Sequence, residues 1–460
     1  MKINRRNFLQ CFLGMMAGLK GTAGAVSDPE KIRQERFVPV ETPDIPKLPY
    51  EIQDGVKVFH LVAEPVKREF LPGKVVDVWG YSGSMPGPTI EVMEGDHVRI
   101  IFENKLPEAT TVHWHGVEVP LEMDGVPAIS QKTVMPGQSY TYEFTLHQNG
   151  TFFYHSHMAM QEMMGMIGLF IIHPKKPHNP PVDRDFGLVL QEWAILPNNT
   201  VPNSMSMEFN WLTFNGKAGP ATTPLLVKHG ERVRIRMVNL GMDHHPIHIH
   251  GHQFTVTGTE AGRIPESAWY QENTVLVGVA QARDIEFKAK YIGDWMLHCH
   301  LPHHMMNQMV SMVGPVAHPG MGMQTGMGME EGMGIVRQGH ALSEELGPGL
   351  GRGMGIETRE KLISNLVGQK EMVHGEHVPH EMKKKRVPGF PQDHWMPMDE
   401  AVAKPETHGL VPEWSGAVQG MMTLVRILPP DKYEEIVKRI TKEKTGTPEK
   451  DFTPHTPETH

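Results

Sequence analysis

The chain contains the same pattern twice. Pro88 to Ile100 reads Pro-Thr-Ile-Glu-Val-Met-Glu-Gly-Asp-His-Val-Arg-Ile, and Pro224 to Ile235 reads Pro-Leu-Leu-Val-Lys-His-Gly-Glu-Arg-Val-Arg-Ile. From Gly95 to His113 is 18 residues, and from Gly230 to His248 is also 18. His113 therefore falls on His248, His115 on His250, and downstream His155 and His157 fall on His298 and His300. Self-similarity at this scale predicts two copies of one structural unit. The unit is β. Short runs rich in Val, Ile, Phe and Tyr (Thr89 to Val92, Val98 to Phe102, Tyr140 to Leu146, Leu169 to Ile172) are broken by Pro and Gly, with no long amphipathic helical period. The expectation is an all-β fold of two consecutive sandwich domains, at 46–178 and 182–318.

The matched histidines come as four His-x-His pairs: His113 with His115, His155 with His157, His248 with His250, and His298 with His300. Side chains on a strand repeat every two residues, so each pair aims two imidazoles the same way. Eight imidazoles exceed what one zinc needs and suit several copper ions held close together. The second copy carries an additional set. His245, Cys299 and His304 supply two imidazoles and a thiolate, and Met309 follows the cysteine by ten residues. Two His, one Cys and a weak axial Met are the ligands of a blue copper electron-transfer site. The first copy has Thr110, Ser156, Gln161 and Met166 at those places. Cys299 lies between His298 and His300, so one short covalent path joins the two ligand sets. His303 reads as a bystander.

These residues resemble the multicopper oxidases, more narrowly the two-domain, small-laccase-like type, over about 46–318. The resemblance implies cupredoxin folds and four copper ions per chain. It implies a type 1 copper at His245, Cys299, His304 and Met309, and a type 2 copper at His113 and His248. It places the type 3 pair at His115, His155 and His300, and at His157, His250 and His298. Asp124, in Glu-Met-Asp-Gly, matches the family's acidic residue near the cluster and would relay protons. His298, Cys299 and His300 would carry the electrons. The implied reaction is one-electron oxidation of phenolic or aromatic substrates, or of Cu(I) and other metal ions, coupled to four-electron reduction of dioxygen to water. The family's two-domain plan implies a homotrimer whose cluster lies between subunits. Two alternatives are a non-enzymatic periplasmic copper-binding or resistance protein, and a copper nitrite reductase. The nitrite reductases carry their blue-copper cysteine in the first domain, where this chain has Ser156.

The formal charge is −9, and the first 25 residues hold four bases and no acid, which leaves 40 bases against 53 acids beyond them. Such a chain is a poor nucleic-acid binder; the run Lys383 to Arg386 reads as a solvated turn. Residues 1–25 read as a twin-arginine export signal: Arg5-Arg6, an apolar stretch from Phe12 to Leu19, then Ala23-Gly24-Ala25. The apolar stretch is too short to span a bilayer, so the expectation is a periplasmic or otherwise exported protein without a membrane span. Cys11 falls in that leader, leaving Cys299 with no disulfide partner. Residues 26–45 read as an N-terminal arm. The chain holds 33 Met, clustered at Met158, Met160, Met163, Met164 and Met166 and again in a Met/Gly-rich linker at 319–357. Thioethers select Cu(I). A partly helical C-terminal extension, 358–460, follows, with periodicity at Thr358 to Met372, a helix start at Pro430-Asp431, and Trp414 to Leu428 apolar enough to dock on a neighbouring subunit.

Overall fold

The computed structural model describes residues 37–158, 160–195, 199–307 and 397–444. Two β-sandwiches of cupredoxin type follow one another. In the first, one sheet joins β1 (Tyr50–Gln53), β2 (Val56–Leu71), β3 (Lys74–Tyr81), β5 (His97–Asn104) and β7 (Ser139–Thr145). The facing sheet runs β4 (Gly87–Met93), β9 (Ile167–His173), β8 (Gly150–Ser156), β6 (Val112–His115). Four of the apolar runs noted above lie in β4, β5, β7 and β9. Between the sheets sit Phe59, Phe102, Trp114, Tyr142 and Phe170, all buried.

The second sandwich repeats the plan. One sheet joins β10 (Arg184–Trp193), β11 (Trp211–Phe214), β13 (Arg232–Asn239), β15 (Phe254–Thr259), β16 (Gly262–Arg263), β17 (Tyr270–Glu272) and β19 (Gln281–Lys288). The other runs β12 (Leu225–Lys228), β21 (Met422–Leu428), β20 (Gly293–Cys299), β14 (His245–Ile249), β18 (Thr274–Val277). The repeat holds at the level of pairing. In parallel β2 and β5, Ala63 faces Asn104; in parallel β10 and β13, Leu190 faces Asn239. Asn104 and Asn239 each bond a carbonyl four residues ahead and the backbone N–H two residues ahead.

One strand departs from the sequence reading. Trp414 to Leu428 looks apolar enough to dock on a neighbouring subunit, yet Met422–Leu428 is a strand of this chain's own sheet. β21 lies between β12 and β20, parallel to the first and antiparallel to the second. All seven of its residues are buried, and Val425 and Ile427 share the core that holds Cys299. The expected helix follows: α1 (Pro430–Lys444) opens on Pro430 with Asp431 in its first turn and ends on Lys442 and Lys444, matching φ preference and helix dipole. Its Tyr433 and Ile436 pack on Leu226 and Leu428. The expected leader, linker and Thr358 to Met372 helix lie outside the described residues. No helix among the described residues is long and apolar enough to cross a membrane.

The sandwiches meet over Val40, Ile45, Phe153, Leu169, Val189 and Val238. Thr151 Oγ1 donates to Asp284 Oδ1 at 2.6 Å and accepts from Arg236 Nη1 at 2.7 Å.

Candidate metal centres

Strand alternation sorts the ligands. On β14, His245, Ile247 and Ile249 face the sandwich interior, and on β20 Leu297 and Cys299 do the same. His248, His250, His298 and His300 therefore point out of the opposite face. The register pairs Ile247 with Cys299 and His248 with His298. The first sandwich has the same arrangement, pairing Val112 with Ser156 and His113 with His155.

Inside the second sandwich, His245, Cys299 and His304 are fully buried. His304 arrives from a short turn, Pro302–Met305. The two Nδ1 atoms lie 3.2 Å apart, and Cys299 Sγ is 3.7 Å from His245 Nδ1 and 3.4 Å from His304 Nδ1. A point equidistant from the three lies about 2.0 Å from each, close to metal–imidazole and metal–thiolate bond lengths. His245 Nε2–H donates to Glu192 Oε2 at 3.0 Å, which leaves its Nδ1 a bare lone pair. Lone pairs turned on one another this closely suit a shared cation, so the donor set fits copper. Burial pushes the Cys299 thiol up to about 12, so the metal must displace its proton. Met309 lies outside the described residues.

The same place in the first sandwich is closed by hydrogen bonds. Ser156 Oγ lies 3.1 Å from Thr110 Oγ1 and donates to Gln161 Oε1 at 2.7 Å, while Gln161 Nε2 donates to Ala109 O at 3.0 Å. Met166 is buried, and its carbonyl accepts the Ser156 N–H. The alignment of Thr110, Ser156 and Gln161 with His245, Cys299 and His304 thus has a spatial counterpart, filled by neutral polar groups.

Each His-x-His set forms a quartet. His113 has ring centroids 5.7, 5.3 and 5.3 Å from His115, His155 and His157. His248 lies 5.1, 5.6 and 5.5 Å from His250, His298 and His300. Within them His115 Nδ1 approaches His155 Nε2 at 3.3 Å, and His250 Nε2 approaches His298 Nε2 at 3.1 Å. Backbone carbonyls hold the outer nitrogens. Nδ1–H of His113 donates to Asp124 O, of His248 to Asn273 O, of His155 to Ser156 O and of His298 to Cys299 O. This fixes each tautomer with Nε2 free for a metal. Burial first, then the neighbouring imidazoles, drops His115 to about 4 and lowers His113, His250 and His298, although backbone bonds at His113, His115 and His298 pull upward. Neutral imidazole is the ligand form. His157, His250 and His300 are exposed. Among the described residues no ring contact joins one quartet to the other.

Asp124 follows the turn Leu121–Met123, and its carboxylate lies 3.3 Å from His113 Nδ1. Three acids near the ligands escaped the sequence reading. Glu162 Oε1 sits 3.0 Å from His155 Nδ1. Glu192 backs His245. Asp243 Oδ2 lies 3.4 Å from His304 Nε2, a buried nitrogen without a hydrogen bond, and that imidazole holds the Asp243 carboxyl below its ordinary range. Asp243, His303 and His304 are close enough to hold a metal ion, so His303 sits beside the centre. The one sequence signal for Glu192 was a charge inside the apolar run from Leu188 to Trp193.

Fold and ligand set together define a copper protein of two cupredoxin domains. Comparison with known proteins makes the class specific: multicopper oxidase family models match residues 63–177 and 195–315, together just over half of the chain. The chain belongs to the multicopper oxidase family, and the family implies copper as its cofactor. It is 30% identical to the blue copper oxidase of Nitrosomonas europaea, with a TM-score of 0.51 over 55% of this chain and 81% of that one. Against multicopper oxidase mgLAC the values are 31%, 0.50, 55% and 82%. Copper resistance protein A of Escherichia coli is 35% identical over 134 residues, 29% of this chain and 22% of that protein. The chain thus spans about a fifth of the copper resistance proteins that it matches.

Proposed function

We propose that this chain is a laccase-like multicopper oxidase that couples one-electron oxidation of a phenolic or metal-ion reductant to the four-electron reduction of dioxygen to water. The observation that carries this reading is β20. Cys299 points inward to the His245–His304 triad, and its neighbours His298 and His300 point outward into a histidine quartet. Copper at these sites supplies the one-electron redox chemistry. The type 1 ligands are His245, Cys299 and His304 with Met309; the type 2 ligands are His113 and His248. One type 3 ion takes His115, His155 and His300, the other His157, His250 and His298, giving four copper ions per chain. The residues divide the remaining work. Asp243, half-exposed beside His304, accepts the proton of a phenol or draws in a cation where electrons enter. Asp124 holds and delivers protons at His113.

Exposure of His157, His250 and His300 supports a cluster completed between subunits. So do the apolar Leu121 and Ile129, near Asp124 in sequence, and Leu276, on β18 beside β14, all exposed. A head-to-tail contact between these faces closes as a homotrimer. A Cu(I) reductant is favoured by Met160, Met163 and Met242, which belong to one apolar cluster, Met242 directly preceding Asp243 in the chain. The leader sequence supports export. We read 46–178 as the first domain and 182–318, completed by β21 from the C-terminal extension, as the second.

The test is dioxygen uptake by copper-loaded protein given a phenol, Cu(I), Fe(II) or Mn(II). Uptake with any of them supports the oxidase. No uptake with all four leaves the copper-binding or resistance role, the second reading, favoured by the similarity to copper resistance protein A. Light scattering that gives a monomer with four coppers bound would refute the trimer.

A further inference from the structure

Glu192 lies on β10, the opening strand of the second sandwich, and its side chain is wholly buried. Oε2 accepts His245 Nε2–H at 3.0 Å. Oε1 accepts the backbone N–H of Asp243 at 3.0 Å and that of Met242. All three partners are donors, which suits an acceptor-only carboxylate.

The internal repeat supplies a control within the same chain. Ala63 faces Asn104 in the first sandwich as Leu190 faces Asn239 in the second, so two residues further along β2 the counterpart of Glu192 is Pro65. The counterpart of Gly241, two residues past the asparagine, is Leu106. A Cβ at Gly241 would sit 2.0 Å from Glu192 Oε1. The copper-bearing sandwich therefore has a buried carboxylate and the missing side chain that makes room for it. The sandwich with Thr110 in place of His245 has neither. A purely architectural role would be needed in both.

We infer that Glu192 is a positioning residue that fixes His245 with Nδ1 toward the metal and sets its carboxylate charge behind that ligand, lowering the reduction potential of the thiolate–copper site. The inference rests on His245, Cys299 and His304 holding copper. In the buried surroundings of β10 and β14 water screens this charge weakly. A hydrogen-bonded carboxylate also raises the basicity of the imidazole it holds. Both effects favour the cupric over the cuprous state.

The test is a redox titration of the visible thiolate–copper absorption in wild type, Glu192→Gln, Glu192→Asp and Gly241→Ala. Glu192→Gln is expected to raise the potential, each tenfold loss of preference for the oxidised form reading as 59 mV. Glu192→Asp keeps the charge and is expected to recover part of that rise. Gly241→Ala leaves Glu192 in the chain but displaces its carboxylate, so the potential again rises, and this arm stands even if Glu192→Gln does not fold. Wild-type potential and absorption in Glu192→Gln would overturn the inference. So would a Gly241→Ala protein that melts earlier yet titrates as wild type. Wild-type protein lacking the thiolate–copper absorption would overturn the copper assignment itself, a distinct outcome.

Discussion

Ile427 tests whether the copper sandwich depends on a strand drawn from far along the chain. Its side chain is fully buried in the core that holds Cys299. Its backbone lies opposite Gly293 on β20 and Val227 on β12. Ile427→Ala keeps the strand's hydrogen-bond ladder and removes only buried methylene and methyl groups. Truncations of this kind cost about 2–5 kcal/mol, transfer and cavity contributions together. Against a net domain stability of about 5–15 kcal/mol, the loss is a large fraction. With a urea dependence near 3 kcal/mol/M, the unfolding midpoint falls by roughly 1 M. The assay is a urea titration of copper-loaded protein followed by the thiolate–copper absorption, which reports the sandwich holding Cys299. Lys432→Ala on exposed α1 is the control, expected within about 0.5 kcal/mol of wild type. If Ile427→Ala loses its colour at the wild-type urea concentration, β21 does not hold this sheet together and the packing argument is wrong.

Cys299→Ser is expected to abolish the thiolate–copper absorption and turnover while copper analysis still finds metal on the histidine quartets; retained substrate oxidation at the normal rate would refute the electron path. Asp124→Asn keeps the shape near His113 but cannot release a proton, so dioxygen turnover is expected to fall about 100-fold or more, with the visible absorption unchanged. Gly125 has φ +83°, and a Cβ there would lie 1.9 Å from Val112 O, so Gly125→Ala is expected to cost more than about 2 kcal/mol in thermal unfolding. The lowered His115, His113, His250 and His298 make the metal-free protein acid-sensitive. As pH falls from about 6.5 toward 4, the unfolded chain binds protons first, so melting temperature is expected to drop through that window, while a flat profile would contradict the buried quartets.

The alternation of His-x-His along strands made much of the site legible before any coordinates. A period of two is local, so it sends Cys299 inward and His298 and His300 outward whatever the rest of the chain does. The equal spacing from Gly95 to His113 and from Gly230 to His248 likewise carried the repeat, down to the hydrogen-bonded trio of Thr110, Ser156 and Gln161. What escaped depends on contacts remote in sequence. Glu192 reaches His245 across 53 residues, and nothing in Leu188 to Trp193 says where that charge will point. Asp243 comes to the ligands only because the turn bearing His304 folds beside it. Trp414 to Leu428 reads as apolar enough to dock, yet no local signal tells whether it pairs within the chain or with another copy. Burial of both faces and the register against Gly293 to His298 decide that.

The place of β21 also orders events during synthesis. More than a hundred residues separate Cys299 from Met421, whose carbonyl accepts its backbone N–H. The ribosome therefore finishes the cysteine, and all the histidines around it, well before the strand that flanks them exists. Until then β20 presents an unpaired edge, which invites association with other chains, and the thiol lacks part of the wall that shelters it. A polypeptide that stops short of Leu428 keeps that edge open and leaves the core around Cys299 without Val425 and Ile427. The sheet that carries Cys299 is closed only in chains read through Leu428, so strand order ties the last-made strand to the earlier-made ligands.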